Sequence, residues 1–396
     1  MEAEPELNSD NLQGSLFYWD GATNDAKLTM ANIIDARNLG ATTLSRVSLE
    51  DVEWNSSVSK ETHEGHLLKL IDQQTGEELQ ARAKIVISAA GPWTDSVLKS
   101  CLNKDHHKAM LAPTRGSHIV VPQGKLPVNH AIVITHPKDG RVLFAIPWEN
   151  FTVIGTTDIF DQHGPDQCHI TKTEVQYLLD AANEQFPKAK LQKEDIVSVW
   201  SGLRPLVAPP DQADASAISR EHVLNYLEPG MIVIAGGKLT TYRAMAEECV
   251  DFAIESSSDW HQPLCPSRPR LKTKKRKLPT VTLPFRADEE ISPEQMPEQM
   301  PKKMIGESEA GRIDSKKLLE ICEYECPLSL EDLMVRRLDL YYKESNNGLD
   351  LLPKLKAPLS EFFNWSEDDW QKEVQAYKSY LELSTWKALE RKDPTK

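Results

Sequence analysis

The sequence predicts a protein of the α/β plus α+β class: an α/β layer, an antiparallel sheet, and a small α-helical domain at the C-terminal end. Three observations carry that expectation. Apolar strands run through glycine turns into helices at "IVISAAGPWTDSVLKS" and "MIVIAGGKLTTYRAMAE", the strand–turn–helix order of an α/β layer. Between them, "HIVVP", "AIVITHP", "VLFAIPW" and "FTVIGTT" read as short alternating strands of an antiparallel sheet. Near the C-terminal end, "SLEDLMVRRLDLYYK" and "SEDDWQKEVQAYKSYLEL" are amphipathic helices, the second with Trp370, Val374, Tyr377 and Leu381 on one stripe.

Each element has its own signal. Residues 23–41 read as a capped helix, with Asn24 or Asp25 at its start, Leu28, Ile33, Ile34 and Leu39 at helical spacing, and Gly40 as its stop. The strand "ATTLSRV" follows. "HLLKLID", the turn "QQTG" and "EELQARAKIVISAAG" form a hairpin, whose second arm ends in an apolar run typical of a strand buried on both faces. Thr171 and Glu174 make a capping box for the helix 172–186, and "DIVSVWSGLRPL" returns to strand. "SREHVLNYL", "EPG" and "MIVIAGG" form another hairpin, and a helix over 241–255 follows it. Residues 257–312 contain "RPRLKTKKRK" and "PEQMPEQMP", too poor in apolar residues to bury, and read as a flexible linker. The expected divisions are therefore 1–110, 111–230, 231–256, the linker 257–312 and a helical domain over 313–396.

A chain of 396 residues with a formal net charge of −14 is no general nucleic-acid binder, because it lacks the cations that displace counterions from phosphates. An anionic ligand would have to be met by a local cluster of cations. Six scattered cysteines form no disulfide framework, which favours a reducing compartment, and Cys322 and Cys326 lack the partners that would make a metal site. No apolar stretch is long enough to span a bilayer.

The stretch "AGGKLTTYRAMAE" at 235–247 has adjacent glycines, so it is not a P-loop. Gly236 and Gly237 let backbone approach a ligand, a helix N-terminus near Thr240 and Thr241 favours negative charge, and Lys238 adds a full cation. The same residues also suit a plain strand–helix turn with a solvated lysine. Arg204, before a proline at the end of an apolar strand, and Arg220 in "ISRE" are candidate phosphate ligands or ordinary surface charges. His118 lies in an apolar strand, where a packed histidine competes with a proton-transfer role. "GTTD" at 155–158 reads as a strand-end turn in which threonine side chains cap backbone groups, and the basic run 268–277 as a solvated linker or an address for an acidic surface.

Seven motifs occur together in one order: "YWDGATNDAKLTMANIIDARNLGA", "VISAAGPWTDSV", "RGSHIVVP", "FAIPW" with "VIGTTD", "WSGLRPL", "ISREH" and "AGGKLTTYRAMAE". On these the chain resembles the FAD-dependent glycerol-3-phosphate dehydrogenases, within the flavoproteins that are similar to D-amino-acid oxidase. The likeness covers about residues 14–256 densely, and "DLMVRR" resembles the family's helical domain. It implies a glutathione-reductase-like FAD domain formed by 1–110 and 231–256, here incomplete, with an antiparallel substrate domain over 111–230. It implies oxidation of glycerol 3-phosphate to dihydroxyacetone phosphate, with FAD as hydride acceptor and quinone as the onward acceptor, at a membrane surface met peripherally. By the same carry-over His118 and Lys238 are catalytic, and Arg204, Arg220 and Lys238 hold the substrate phosphate. Ala89, Ala90, Gly91 and Pro92 pass close to FAD, and Gly236, Gly237, Leu239, Thr240 and Thr241 face its ring.

The chain lacks the GxGxxG fingerprint with which such domains begin. The expectation is a fragment of a longer enzyme, one of two complementing polypeptides, or a non-catalytic binding subunit; an oxidase using oxygen is the alternative chemistry. The expected location is cytoplasmic and peripheral to a membrane, or mitochondrial if the true N-terminus lies upstream.

Overall fold

The computed structural model describes residues 4–10, 12–55, 65–102, 109–161, 163–208, 221–227, 230–256, 315–344 and 346–384. In chain order the elements are α1 Asp25–Asn38, β1 Val47–Glu53, β2 His66–Asp72, β3 Glu78–Ala83, β4 Val86–Ser88, α2 Thr94–Cys101, β5 Thr114–Pro122, β6 Ile132–Thr135, β7 Val142–Trp148, β8 Phe151–Gly155, β9 Ile159–Phe160 and α3 Lys172–Gln185. Then come β10 Ser198–Arg204, β11 His222–Leu227, β12 Met231–Gly236, α4 Tyr242–Ser256, α5 Ser315–Glu325, α6 Leu330–Asp332, α7 Leu340–Lys343, α8 Leu352–Phe363 and α9 Glu367–Ser384. Contacts gather them into two compact units: Met1–Ser45, Ala112–Ile218 and Ser308–Lys396 form the first, Arg46–Leu111 and Ser219–Glu307 the second. The units change after residues 45, 111, 218 and 307, whereas the sequence suggested divisions after 110, 230, 256 and 312.

The first unit is built on an antiparallel sheet in the order β10-β5-β8-β7-β6, with β9 paired to β5. The alternating pattern has the expected consequence. Ile119, Val121, Ile134, Leu143, Ala145, Ile154 and Val199 face α3 and bury against Val175, Leu178, Leu179 and Ala182. The capping box starts α3 as expected: Thr171 accepts from the Glu174 amide while the Glu174 carboxylate accepts from the Thr171 amide. Glu174 has a second task. Its carboxylate pairs with the buried Arg115 at 3.1 Å, accepts from Ser117 Oγ at 2.7 Å and from Thr157 Oγ1 at 2.9 Å, and Arg115 also meets Asp161 at 2.8 Å. Burial alone would raise the Glu174 pKa, but the Ser117 hydrogen bond and the Arg115 charge outweigh it and hold the carboxyl below its usual range.

The C-terminal helices of the first unit close around Leu318, Ile321, Leu333, Tyr341, Leu355, Leu359, Trp370 and Tyr377. Helix α9 carries the expected stripe. The helix expected over 329–343 is broken instead: α6 passes into a π-helical turn, Leu333–Arg337, and Asp339 takes a left-handed conformation, φ 57°, before α7. The reason is burial. Leu333, Met334, Val335 and Arg337 are all buried, more consecutive positions than one face of an α-helix can hide. Arg337 turns inward to Asp332 at 3.2 Å and Glu325 at 3.5 Å. Helix α1 begins at the predicted cap, Asn24, but no residue of it is fully buried. Polar contacts fix it: Lys27 Nζ donates to the Arg337 carbonyl at 2.6 Å and pairs with Glu325 at 3.3 Å.

In the second unit β1, β2 and β3 form an antiparallel meander, and a separate sheet runs β11-β12-β4, with β12 antiparallel to β11 and parallel to β4. Two expectations fail here. The segment 41–46 is not strand, because Arg46 adopts φ 58° and the ladder begins only at Val47. The arm expected as one strand through 77–88 breaks after Ala83 and changes sheet, and Ile87 in β4 is 43 % exposed.

Replacing Glu174 by Ala strands the Arg115 guanidinium with one carboxylate and removes the helix cap, so a loss of about 3–5 kcal/mol is expected in denaturant unfolding. A loss under about 1 kcal/mol would show that the cluster does not hold the sheet to α3.

Candidate active site

Strand register brings the key residues of the first unit into one row. Trp200 pairs with His118, His118 with Gly155, Gly155 with Phe144, and Phe144 with Val133, so five strands in succession contribute one residue each to the same face of the sheet. This is the face opposite α3. Gly155 makes the row workable. A Cβ there would come within 2.1 Å of His118 Cδ2, so only glycine lets the imidazole lie flat across β8. On its other side the imidazole stacks on Trp200, with centroids 4.8 Å apart and planes 18° apart.

The His118 Nδ1 is buried and has no hydrogen-bond partner among the described residues, while the residue as a whole keeps partial exposure. Burial first, and the Arg204 cation second, push its pKa from 6.5 down to about 4. The ring is therefore neutral near pH 7, and the same burial and neighbouring cation make it a weak base unless a bound ligand changes its surroundings. Arg204, at the end of β10, shares this face of the sheet and lies over Gly116, where a Cβ would come 2.5 Å from a guanidinium nitrogen. The "GTTD" turn receives it. Arg204 pairs with Asp158 at 3.1 Å and donates to Thr156 Oγ1 at 3.1 Å and to the Thr157 carbonyl at 3.3 Å. Threonines cap backbone groups there as expected: Thr156 Oγ1 donates to the Thr157 carbonyl, and Thr157 Oγ1 accepts from the Ser117 amide.

The second unit carries the other candidates. The adjacent parallel strands β4 and β12 end in two glycine turns, each opening a helix, and such crevices beyond strand carboxyl ends are where α/β sheets bind ligands. After β4, Ala89 and Ala90 lead to Gly91 at φ 53° and Pro92, then to α2. After β12, Gly236 and Gly237 take φ 79° and 82°, and a Cβ on Gly237 would strike Met245 Cε at 2.4 Å. Lys238, Leu239, Thr240 and Thr241 are exposed. Helix α4 itself begins one residue later than expected. The residues Leu239–Thr241 form a single 3₁₀ turn, in which the Thr241 amide and hydroxyl both donate to the Lys238 carbonyl at 3.0 Å. Arg220, like the segment 257–312, lies outside the described residues.

The contacts of Trp200 and Gly155 with His118, of Asp158 with Arg204, and of Arg115 with Glu174 have no local signal in the sequence. "WSGLRPL" and "VIGTTD" contain most of these residues, but their meeting depends on pairings between distant strands, which no local pattern announces.

The sequence matches the family described as FAD dependent oxidoreductase over residues 1–251. It is 32 % identical over 408 residues to the protein named "Glycerol-3-phosphate dehydrogenase, mitochondrial" from Mesocricetus auratus, a match covering 96 % of this chain and 55 % of that protein. It is 38 % identical over 251 residues to the aerobic glycerol-3-phosphate dehydrogenase of Staphylococcus haemolyticus, covering 63 % of this chain and 44 % of the relative. The chain thus spans about half the length of the curated relatives it matches. Among solved structures, the glycerol-3-phosphate dehydrogenase from Bacillus halodurans complexed with FAD superposes with a TM-score of 0.70 at 25 % identity, covering 97 % of this chain and 78 % of that one.

The depressed His118 pKa has a consequence for stability. Between about pH 6.5 and 4 the unfolded chain binds a proton that the folded chain refuses, so stability is complete above that window and falls as the pH drops through it. Relative to a His118→Gln variant, the native chain is expected to lose up to about 3 kcal/mol more on going from pH 7 to pH 4 in denaturant melts. Parallel pH profiles would place His118 in an ordinary solvated setting.

Proposed function

The chain belongs to the FAD-dependent oxidoreductase family, and from that premise we propose that it oxidises the secondary alcohol of sn-glycerol 3-phosphate to dihydroxyacetone phosphate. The observation that carries this reading is the His118 imidazole on the same face of the sheet as the Arg204 guanidinium. An alcohol that gives up hydride also gives up its hydroxyl proton, and a neutral imidazole accepts it. An otherwise acidic protein needs local cations to meet a substrate phosphate, and on the family resemblance alone Arg204, Arg220 and Lys238 are each proposed for that role.

The residues of the second unit suit FAD. Two helix N-termini after adjacent parallel strands and glycine turns at Gly91, Gly236 and Gly237 offer backbone close to a ligand and favour negative charge. Ala90, Gly91, Pro92, Gly236, Gly237, Leu239, Thr240 and Thr241 are the residues that would border it. When bound, FAD supplies the hydride acceptor. The chain's own part is to hold the phosphate, receive the proton at His118 and favour charge next to the turn after β12. Quinone is the proposed onward acceptor, which would bring the protein to a membrane surface without crossing it; no described helix is long and apolar enough to cross a membrane.

Arg204→Ala is expected to raise the KM for glycerol 3-phosphate by about tenfold to a hundredfold, the worth of a charged hydrogen bond, with a smaller effect on kcat. An unchanged KM would remove Arg204 from the substrate site.

A further inference from the structure

His118 lacks the usual means of orienting an imidazole. A histidine that handles a proton is commonly fixed by a hydrogen bond at its second ring nitrogen, yet Nδ1 here is buried without a partner among the described residues. Contact holds the ring instead. One face lies on Trp200, at 4.8 Å and 18°, and the Cδ2 edge rests where a Gly155 side chain would be. The stack is close to parallel, so a rotation of the imidazole about its side chain must either part the rings or drive the edge into β8.

Trp200 is itself held from the C-terminal helices. Its indole meets Tyr342 of α7 nearly edge-on, with centroids 5.3 Å apart and planes at 80°, and Trp148 at 6.3 Å and 74°. Trp148 completes the group against Tyr342 at 5.9 Å. The backbone of β10 is tied to the same helix: Tyr341 Oη donates to the Val199 carbonyl at 2.8 Å, and Ser198 Oγ donates to the Tyr342 carbonyl at 3.2 Å. Lys343 lies over the Trp148 ring at 5.2 Å and pairs with Glu149 at 2.7 Å. A chain of contacts therefore runs from α7 through Tyr342 and Trp200 to the imidazole.

We propose that Trp200 is a positioning residue that fixes the ring plane of His118 by stacking, and that the C-terminal helices act on the site by setting the plane of Trp200 through Tyr342. The catalytic meaning of this rests on the reading of His118 as the proton acceptor. The geometry itself does not.

The test uses the full chain and its Trp200→Leu, Trp200→Phe and Tyr342→Leu variants. Histidine ring signals are followed by NMR, and those of His118 are identified by their loss in His118→Gln. The native His118 protons are expected to carry an upfield ring-current shift that Trp200→Phe largely keeps, Trp200→Leu abolishes and Tyr342→Leu reduces. In the FAD-loaded protein, kcat is expected to fall about tenfold in Trp200→Leu with KM for glycerol 3-phosphate within about twofold, and to recover in Trp200→Phe, because the loss is one of orientation. His118 signals in a folded Trp200→Leu chain that coincide with the native ones overturn the proposal. Should that variant not fold, native His118 protons without an upfield ring-current shift overturn the stack, and unchanged signals in Tyr342→Leu overturn the part assigned to the C-terminal helices. Native activity in His118→Gln would refute the proton-acceptor reading, while the ring-current shifts still decide the positioning claim.

Discussion

Strand β5 must bury charge on one face and present an imidazole on the other, and the first unit is organised around that demand. Toward α3, Arg115 and Ser117 join Glu174, Asp161 and Thr157 in a buried cluster whose every partner comes from elsewhere in the chain. Toward the opposite face, Gly116 and His118 face Arg204 and Gly155. Because neighbouring residues of a strand point to opposite faces, the charged cluster that anchors Ser117 also fixes the height and direction of His118. A slip of one residue in the pairing of β5 would expose the ion cluster and bury the histidine against α3, so the register is strongly specified.

On this face the His118 ring is held by contact with Trp200 and the Gly155 backbone. A buried nitrogen without a partner costs stability, and His118 Nδ1 has none among the described residues, while burial and the Arg204 charge keep the ring neutral. Arg204 is treated in the opposite way: Asp158, Thr156 and the Thr157 carbonyl surround the guanidinium, so its charge is matched and its direction set. One side chain is held by ring contacts and the other by matched polar partners.

Much of this was legible in the residues, and the exceptions have physical causes. The caps at Asn24 and Thr171, the antiparallel sheet, the two glycine turns before helices and the stripe of α9 all rest on local chemistry, and local chemistry decided them. The break in 329–343 was not legible, because the apolar spacing fits an α-helix while the burial of Arg337 against Asp332 and Glu325 depends on contacts outside that segment. Ile87 reads as a core residue from its apolar neighbours, yet β4 changes sheet after Ala83 and leaves it open. For the site, family resemblance named His118 and Arg204. It could not show that Trp200 stacks on one and Asp158 pairs with the other, since both meetings depend on long-range strand pairing.

The proposed flavin-dependent alcohol oxidation requires first that the chain hold FAD. The most direct measurement is the visible absorption spectrum of the purified chain with its bound nucleotide released and identified, taken before and after addition of glycerol 3-phosphate. The account predicts stoichiometric FAD that bleaches with substrate, and bleaches much more slowly in His118→Gln. A chain that takes up no flavin, or holds flavin that glycerol 3-phosphate leaves oxidised, would contradict it.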